Sequence, residues 1–266
     1  PARVLGEKAP SLGETVFENE GVRALTSGDG VLVVSFKSKA HAIGPAVIEG
    51  LNKAIDIAED HYKALVIWQT EEPFSVGADL QSMMPAFMMG DWDAIDATVR
   101  KFQDTSMRLK YSQIPVVVAT QGYAFGGGCE FVMHSDKVVA ALETYIGLVE
   151  VGVGLLPGGG GCKEFALRAA QEAKGDVLAA LKDYFMAIAT AKVGTSAIEG
   201  QEIGFIRKTD TVVFNAYELL YVAKQEAIAL AEAGYRPPLK VKAFPVAGRA
   251  GAASIKGSLV NMLEGN

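Results

Sequence analysis

A glutamate follows a run of three glycines in the stretch GYAFGGGCEFVMHSD, residues 122–136. The short apolar segment IPVVVAT precedes it and is typical of a buried strand, so the glycines mark a turn that enters a helix. Backbone N–H groups at such a turn can bind an oxyanion. Close packing of helix on sheet would explain the glycines equally well, and Glu130 alone could be an exposed first-turn acid favoured by the helix dipole.

A second exposed turn lies in the loop PFSVGADLQ, residues 73–81, which follows the apolar run KALVIW. This run is also typical of a buried strand. We expect the Gly-Ala turn of this loop to converge with the glycine turn before Glu130. Two sets of backbone donors would then face one ligand.

The common motifs for nucleotides, metals and nucleophilic triads do not match. In GLLPGGGGCKEF, Cys162 separates the last glycine from Lys163, and Glu164 stands where a Walker A motif needs Ser or Thr. Pro157 replaces the third glycine of a dinucleotide fingerprint, and no G-x-S-x-G elbow occurs. The histidines lack metal-ligand spacing: His41, His61 and His134. We therefore expect no metal site and no cofactor.

The elements that must position these turns alternate along the chain. VRALTSGDGVLVVSF predicts a hairpin around a Gly-Asp-Gly turn, and residues 47–58 have helical spacing before the strand KALVIW. Residues 91–112 predict a long amphipathic helix before IPVVVAT, and residues 176–234 are mostly helical in pattern. This alternation predicts an α/β fold with βαβ crossovers.

Composition limits the remaining classes of protein. The 266 residues are 50% hydrophobic, which suits a globular chain with a substantial core. A net charge of −6 without clustered Lys and Arg argues against nucleic-acid binding. No apolar run is long enough to cross a bilayer and no signal peptide is evident, so we expect a cytoplasmic protein, with no membrane partner, whose Cys129 and Cys162 stay reduced. The start at Pro1 and the end at NMLEGN suggest a piece of a longer protein.

Three motifs, SVGADL, GYAFGGGCEFVMHSD and VEVGVGLLPGGGG, together resemble the crotonase, or enoyl-CoA hydratase/isomerase, superfamily. They occur in the family's order within residues 22–206. The resemblance implies a crotonase-like spiral of ββα units, assembled as a homotrimer or a dimer of trimers. We expect an arm at 1–20, the spiral core at 21–206 and a helical C-terminal region at 207–266.

The resemblance also assigns roles to residues. It implies that the N–H groups of Ala78 and Gly127 form an oxyanion hole for a thioester carbonyl. It implies that Glu130 and Glu150, which are 20 positions apart, are the two catalytic acids. Two carboxylates in one buried site would keep one proton between them. Without the motif, Glu150 among apolar residues would be expected to form a salt bridge.

Further substrate contacts follow from the resemblance at nine positions: Lys39, Ala40, Val76, Gly77, Asp79, Leu80, Gly126, Pro157 and Gly158. Several positions depart from the family's usual residues, among them Val118, Thr120, Leu148 and Val149, and SKAHAIG replaces the common Asn-Ala segment. Gln81 stands where many relatives carry a Lys near coenzyme A. The assignment of coenzyme A contacts to Lys39 and its neighbours is correspondingly loose.

A methionine-rich segment, LQSMMPAFMMGDW, follows the first turn at residues 80–92. Flexible thioethers could line a pocket for a fatty acyl tail, in which case medium or long chains would be preferred. An ordinary packed helix is the alternative.

The sequence thus predicts an enoyl-CoA hydratase that adds water to 2-trans-enoyl-CoA in fatty acid β-oxidation, with coenzyme A as part of the substrate. The resemblance extends to bacterial fatty-oxidation proteins in which this domain is fused to a 3-hydroxyacyl-CoA dehydrogenase. Two alternatives remain: a Δ3,Δ2-enoyl-CoA isomerase, which can run on one acid, and an acyl-CoA-binding module without catalysis.

Overall fold

A mixed sheet organises the computed structural model, which describes residues 13–173 and 175–264. Its seven strands are neighbours in chain order. They are β1 (Glu14–Glu18), β2 (Val22–Thr26), β3 (Val31–Phe36), β4 (Ala64–Trp68), β5 (Val116–Phe125), β6 (Lys137–Gly147) and β7 (Thr211–Val213). Strands β1 to β3 are antiparallel, which confirms the predicted hairpin, and β3 to β7 are parallel.

The helices of the described residues are α1 (Pro45–His61), α2 (Leu80–Met89), α3 (Trp92–Lys110), α4 (Gly127–His134), α5 (Gly161–Glu172), α6 (Val177–Ala189), α7 (Ala197–Ile203), α8 (Leu219–Glu232) and α9 (Gly248–Glu264). Helices α1 to α7 lie between the parallel strands, as the alternating pattern predicts, and α8 and α9 follow the last strand. The α/β class is confirmed. Across the described ranges, no helix is both long and apolar enough to cross a lipid bilayer.

The core lies on both faces of the sheet because successive strand residues point in opposite directions. Leu65 and Ile67 of β4 join the larger core, which includes α1 and α4, whereas Ala64, Val66 and Trp68 join a smaller core beneath α8. Burial on both faces explains why these strands are continuous apolar runs rather than alternating ones.

Strands β5 and β6 continue past a bulge into a second, short layer. Their register shifts between Thr120 and Gly122, and the residues beyond the bulge pair again up to Phe125 and Gly147. Isolated bridges join this layer to the neighbouring loops, Ser75 to Ala124 and Ile43 to Ala78. Strands β3 to β6 are therefore each followed by a short segment in the second layer.

Parts of the predicted arm and of the predicted helical region belong to the main sheet. Of the predicted arm at 1–20, residues 14–18 form β1, and residues 1–12 lie outside the described residues. Strand β7, within the predicted helical region, extends the main sheet beside β6, and α8 covers the second face. Three residues are too few for β7 to show a periodic pattern. Residues 207–264 thus contribute a strand and a helix to the same core.

Candidate active site

Two turns meet at the carboxyl ends of β4 and β5. A side chain placed on Gly127 would lie 3.3 Å from the nitrogen of Ala78, so the two peptide groups are adjacent. Gly127 is the first residue of α4, and its N–H therefore has no acceptor within the helix. The expected convergence of the two glycine turns is present in the structure.

The second layer of the sheet sets the position of Ala78. Ile43 donates to the carbonyl of Gly77 at 2.8 Å and accepts from the N–H of Asp79 at 3.0 Å. These bonds hold the residues on either side of Ala78 and leave its own N–H outside the bridge. Joint binding of one oxygen atom by the nitrogens of Ala78 and Gly127 stays a prediction.

Gly126 allows the chain to turn into α4. Its φ of 51° lies in the left-handed region, which favours glycine. A side chain there would also lie 3.2 Å from Oε1 of Glu150. The glycine therefore lets the backbone approach a carboxylate closely.

Glu130 is buried, with only 2% of the residue exposed. This excludes the alternative of an exposed first-turn acid. Its Oε2 accepts from the N–H of Gly159 at 2.9 Å, and its Oε1 accepts from the N–H of Gly161 at 2.8 Å. Burial and then the negative charge of Glu150 raise the pKa of Glu130 from 4.5 to about 8, against the opposing effect of these backbone hydrogen bonds.

Close contact holds the carboxylate of Glu130 in place. A side chain on Gly159 would lie 2.2 Å from its Oε2, so only glycine fits at this position. The PGGGG stretch before α5 thus serves as the second half of the Glu130 site. The sequence analysis tested this stretch only against nucleotide-binding motifs and did not predict that it binds Glu130.

Glu150 begins a short 3-10 turn after β6 and is half-buried. Burial raises the pKa of its carboxyl group. Its Oε2 is buried without a hydrogen-bond partner among the described residues. The predicted alternative, in which a salt bridge neutralises Glu150, is not seen among the described ion pairs. An unsatisfied buried acceptor is costly unless a ligand or water completes it.

One cavity of about 370 Å³ brings these groups together. Both carboxylates, Ala78 and Gly127 line it, with a wall that is largely apolar. The apolar lining residues are Val76, Leu80, Met83, Phe87, Ile95, Val99, Phe102, Val149, Val153, Leu155 and Leu156. This size and this contrast between an apolar wall and a few polar groups are typical of small-molecule sites.

The other predicted contact residues divide into two groups. Five line the cavity: Val76, Gly77, Leu80, Gly126 and Gly158. Four do not: Lys39, Ala40, Asp79 and Pro157. Lys39 and Ala40 are exposed, and the carbonyl of Ala40 accepts from the N–H of Val76. Asp79 caps α2 by accepting from the N–H of Gln81. Pro157 is buried. Contact of these four with a substrate stays a prediction.

Phe102 of α3 was missed by the sequence interpretation. Its ring stacks on Phe131 at 5.0 Å between centroids and also lines the cavity. A side chain on Gly127 would lie 2.5 Å from its Cζ, so the ring packs directly against the helix entrance. The amphipathic pattern of α3 gives no signal that separates this phenylalanine from other core residues.

The methionine-rich segment forms α2, in which no residue is fully buried. Leu80, Met83 and Phe87 line the cavity, whereas Met88 and Met89 are exposed by 82% and 75%. One face of the helix therefore contributes to the candidate site. The predicted preference for longer acyl chains stays a prediction.

Two neighbouring carboxylates and two converging glycine turns, set on alternating strands and helices, are the features of a crotonase-type protein. The chain belongs to the enoyl-CoA hydratase/isomerase family, which its residues 26–195 match.

Curated relatives are longer than this chain. It is 40% identical over 240 residues to a protein of Bacillus subtilis named probable 3-hydroxyacyl-CoA dehydrogenase, covering 90% of this chain and 30% of that protein. It is 33% identical over 163 residues to a putative fatty acid oxidation complex trifunctional enzyme of Rickettsia felis, covering 61% of this chain and 22% of that protein. The chain thus spans less than a third of the length of these relatives.

Solved structures share the fold at low identity. An enoyl-CoA hydratase from Polaromonas sp. JS666 is similar with a TM-score of 0.66 and 21% identity, covering 79% of this chain and 77% of that one. An enoyl-CoA isomerase from Mtb is similar with a TM-score of 0.64 and 24% identity, covering 92% of each chain. Both likenesses confirm the crotonase-like fold and leave hydration and isomerisation equally open.

Proposed function

We propose that this chain is an enoyl-CoA hydratase that adds water reversibly to 2-trans-enoyl-CoA. One observation carries the proposal: Glu130 and Glu150 line one largely apolar cavity together with Ala78 and Gly127, whose backbone N–H groups have no hydrogen-bond acceptor among the described residues. A single acid would suffice for moving a double bond, whereas addition of water uses a proton acceptor and a proton donor.

The two N–H groups would bind the thioester carbonyl oxygen. When hydroxyl adds at C3, electron density moves through C2 onto that oxygen, and the donors stabilise the resulting enolate. Removing one such donor in other enzymes costs roughly 3 to 4 kcal/mol of transition-state stabilisation, and the effect is largest where water is excluded. The apolar wall around Ala78 and Gly127 supplies this condition.

The two acids would hold the water and exchange its protons. Mutual repulsion and burial favour one proton shared by Glu130 and Glu150, and burial raises the pKa of both. The ionised member accepts a proton as the water oxygen bonds to C3, and the protonated member gives its proton to C2. We assign water activation to Glu130, whose oxygens are oriented by two N–H groups, and protonation of C2 to Glu150, so the reactive form of the pair carries the shared proton on Glu150. After the step Glu130 holds the proton taken from water and Glu150 is ionised, so the pair again carries one proton. The hydroxyl and the proton of the water molecule are thus both accounted for.

Coenzyme A belongs to the substrate in this reaction, which uses no metal or nicotinamide. Lys39 and Ala40, on the exposed turn beside Val76, are the proposed contacts for its nucleotide portion. The Bacillus subtilis relative carries the name of a dehydrogenase that acts on 3-hydroxyacyl-CoA, which is the product of hydration. We infer that this chain is the hydratase part of such a fused, cytoplasmic, trimeric protein of fatty acid oxidation.

The test measures hydration of 2-trans-enoyl-CoA and isomerisation of 3-enoyl-CoA by the wild type, Glu130→Gln, Glu150→Gln and the double variant. Each single change should lower hydration ~10²- to 10⁴-fold, since it removes one proton-transfer group. The double variant should lose less than the product of the two effects because the acids act as a unit. Any isomerisation should disappear in Glu150→Gln and survive better in Glu130→Gln.

Binding of a saturated acyl-CoA is the control, because the backbone donors remain in all three variants. Near wild-type hydration in Glu150→Gln would exclude the mechanism. Isomerisation without hydration in the wild type would favour the isomerase. Binding without turnover of either substrate would favour an acyl-CoA-binding module.

A further inference from the structure

A polar cluster lies beneath the candidate active site and outside its cavity. It consists of His134 on α4, Lys163 and Glu164 on α5, and Lys110 on α3. His134 is 1% exposed and Glu164 is 2% exposed. The proposed reaction uses none of these side chains.

The hydrogen bonds of His134 define its protonation. Its Nδ1 lies 2.6 Å from the carbonyl oxygen of Glu130, which can only accept, so Nδ1 carries a proton. Its Nε2 lies 2.9 Å from Nζ of Lys163, whose ammonium can only donate, so Nε2 is an acceptor. Burial lowers the pKa of His134 to about 4, which agrees with a neutral ring near pH 7.

Lys163 links this ring to a buried carboxylate. Oε1 of Glu164 accepts from Nζ of Lys163 and from Nζ of Lys110, both at 2.6 Å. The same oxygen lies 3.6 Å from Nε2 of His134. Lys163 is therefore fixed between the imidazole and an anion rather than free in solvent.

The imidazole also supports the turn that binds Glu130. A side chain on Gly160 would lie 2.8 Å from Cε1 and Nε2 of His134, so the ring packs directly against this glycine. Gly160 stands between Gly159 and Gly161, whose N–H groups donate to the carboxylate of Glu130. His134 thus contacts the helix that carries Glu130 and the turn that orients its side chain.

We propose that His134, held by Lys163, is a positioning residue that fixes the Gly159–Gly161 turn and thereby the orientation and proton affinity of Glu130. Hydrogen bonds from this turn stabilise the charged carboxylate. If the turn moves, these bonds weaken and Glu130 binds its proton more tightly. The effect on turnover rests on the proposed hydratase function, whereas the effect on proton affinity does not.

The experiment follows the titration of Glu130 by NMR of 13C-carboxyl-labelled glutamate, with Glu130→Gln identifying its signal. Lys163→Met keeps the length of a partly exposed side chain and removes the donor to His134. Its Glu130 midpoint should rise by ~0.5 to 1 pH unit, a three- to tenfold gain in proton affinity. Lys163→Arg keeps a donor and should restore most of the wild-type midpoint.

Two further variants separate positioning from charge. His134→Asn removes the ring beneath Gly160 without changing net charge near pH 7, and it should raise the Glu130 midpoint as Lys163→Met does. Lys53→Met removes an exposed lysine of α1 and should leave the midpoint unchanged. In steady-state assays with crotonyl-CoA, Lys163→Met should lower kcat about tenfold with KM within about twofold, as expected for a misplaced catalytic group.

A Glu130 midpoint in Lys163→Met equal to that in Lys53→Met would overturn the proposal. A rise in Lys163→Met that is absent in His134→Asn would also overturn it, because the effect would then be one of charge alone. If the wild type turns over no enoyl-CoA, the hydratase proposal fails, and the titration still decides the positioning role. If His134→Asn does not fold, His134→Gln, which also lacks the ring and is neutral, takes its place in this comparison.

Discussion

Glu130 and Glu164 are equally buried, at 2% exposure each, yet their pKa values are shifted in opposite directions. Burial and the charge of Glu150 raise the pKa of Glu130 to about 8. Burial acts in the same direction on Glu164, but His134, Lys110 and Lys163 outweigh it and lower the pKa to about 2. The neighbours of a buried carboxylate, rather than its burial, therefore decide whether it is a proton carrier or a fixed anion.

The surroundings of Glu130 and Glu164 differ in the groups that they offer to the carboxylate. Glu130 accepts from backbone N–H groups and pairs with no cation among the described residues, so its charge is not fixed and it can gain or lose a proton near neutral pH. Glu164 receives two ammonium groups, which fix its charge and join α3 to α5. Each feature of this contrast can be tested by a neutral substitution.

The largest effect on stability should come from Glu164→Gln. Removing the anion leaves the largely buried ammonium of Lys110 without its partner, and breaking a buried ion pair in this way costs about 3 kcal/mol or more. Urea unfolding at pH 7 measures the change. A loss below about 1 kcal/mol would show that Lys110 finds another partner and that the contrast with Glu130 is weaker than we infer.

Glu130→Gln should change the free energy of unfolding by less than Glu164→Gln does, and the change should be a gain that grows with pH rather than a loss. In the folded wild type Glu130 holds its proton up to a pH near 8, whereas in the unfolded state it releases the proton above the ordinary glutamate pKa of 4.5. The contribution of Glu130 to the free energy of unfolding therefore falls as pH rises from 4.5 toward 8. Glu130→Gln removes that loss, and its free energy of unfolding relative to the wild type should rise by at least about 1 kcal/mol between pH 5.5 and 7.5.

Glu164 provides the matched control for this measurement. Its lowered pKa adds stability above pH 4.5 that is lost as pH falls toward 2, so between pH 5.5 and 7.5 Glu164→Gln should differ from the wild type by a constant amount. Parallel curves for the wild type and Glu130→Gln would contradict the raised pKa of Glu130.

The smallest effect should come from an exposed ion pair. Asp56 lies 2.8 Å from Arg108, with half of the aspartate side chain exposed, and Arg108 also pairs with Glu59. Asp56→Asn should cost at most about 0.5 kcal/mol, since solvent screens such pairs. Its urea unfolding curve should nearly overlay that of the wild type, and a loss near that of Glu164→Gln would mean that burial does not separate the two classes of ion pair.

Much of the fold could be predicted because local patterns carry it. The runs KALVIW and IPVVVAT predict β4 and β5, and helical spacing predicts α1 and α3, since buried strands are continuously apolar and surface helices are amphipathic. The pairing of β1 and the addition of β7 to the sheet could not be predicted in this way. β1 is mostly exposed and therefore lacks the apolar run of a buried strand. β7 has only three residues, and its place is fixed by pairing with the distant strand β6.

The candidate site divides along the same line. The sequence by itself determined the glycine turns at Ala78 and Gly127 and the presence of a carboxylate at Glu130 and at Glu150. Residue type is enough for this, because glycine permits such turns and glutamate can transfer a proton wherever it lies. Only the tertiary structure decided that the turn at the start of α5 donates hydrogen bonds to Glu130 and that His134 packs against Gly160. It also decided that Oε2 of Glu150 has no hydrogen-bond partner among the described residues. These contacts join residues from separate elements, so burial and charge at each carboxylate depend on packing that no local pattern records.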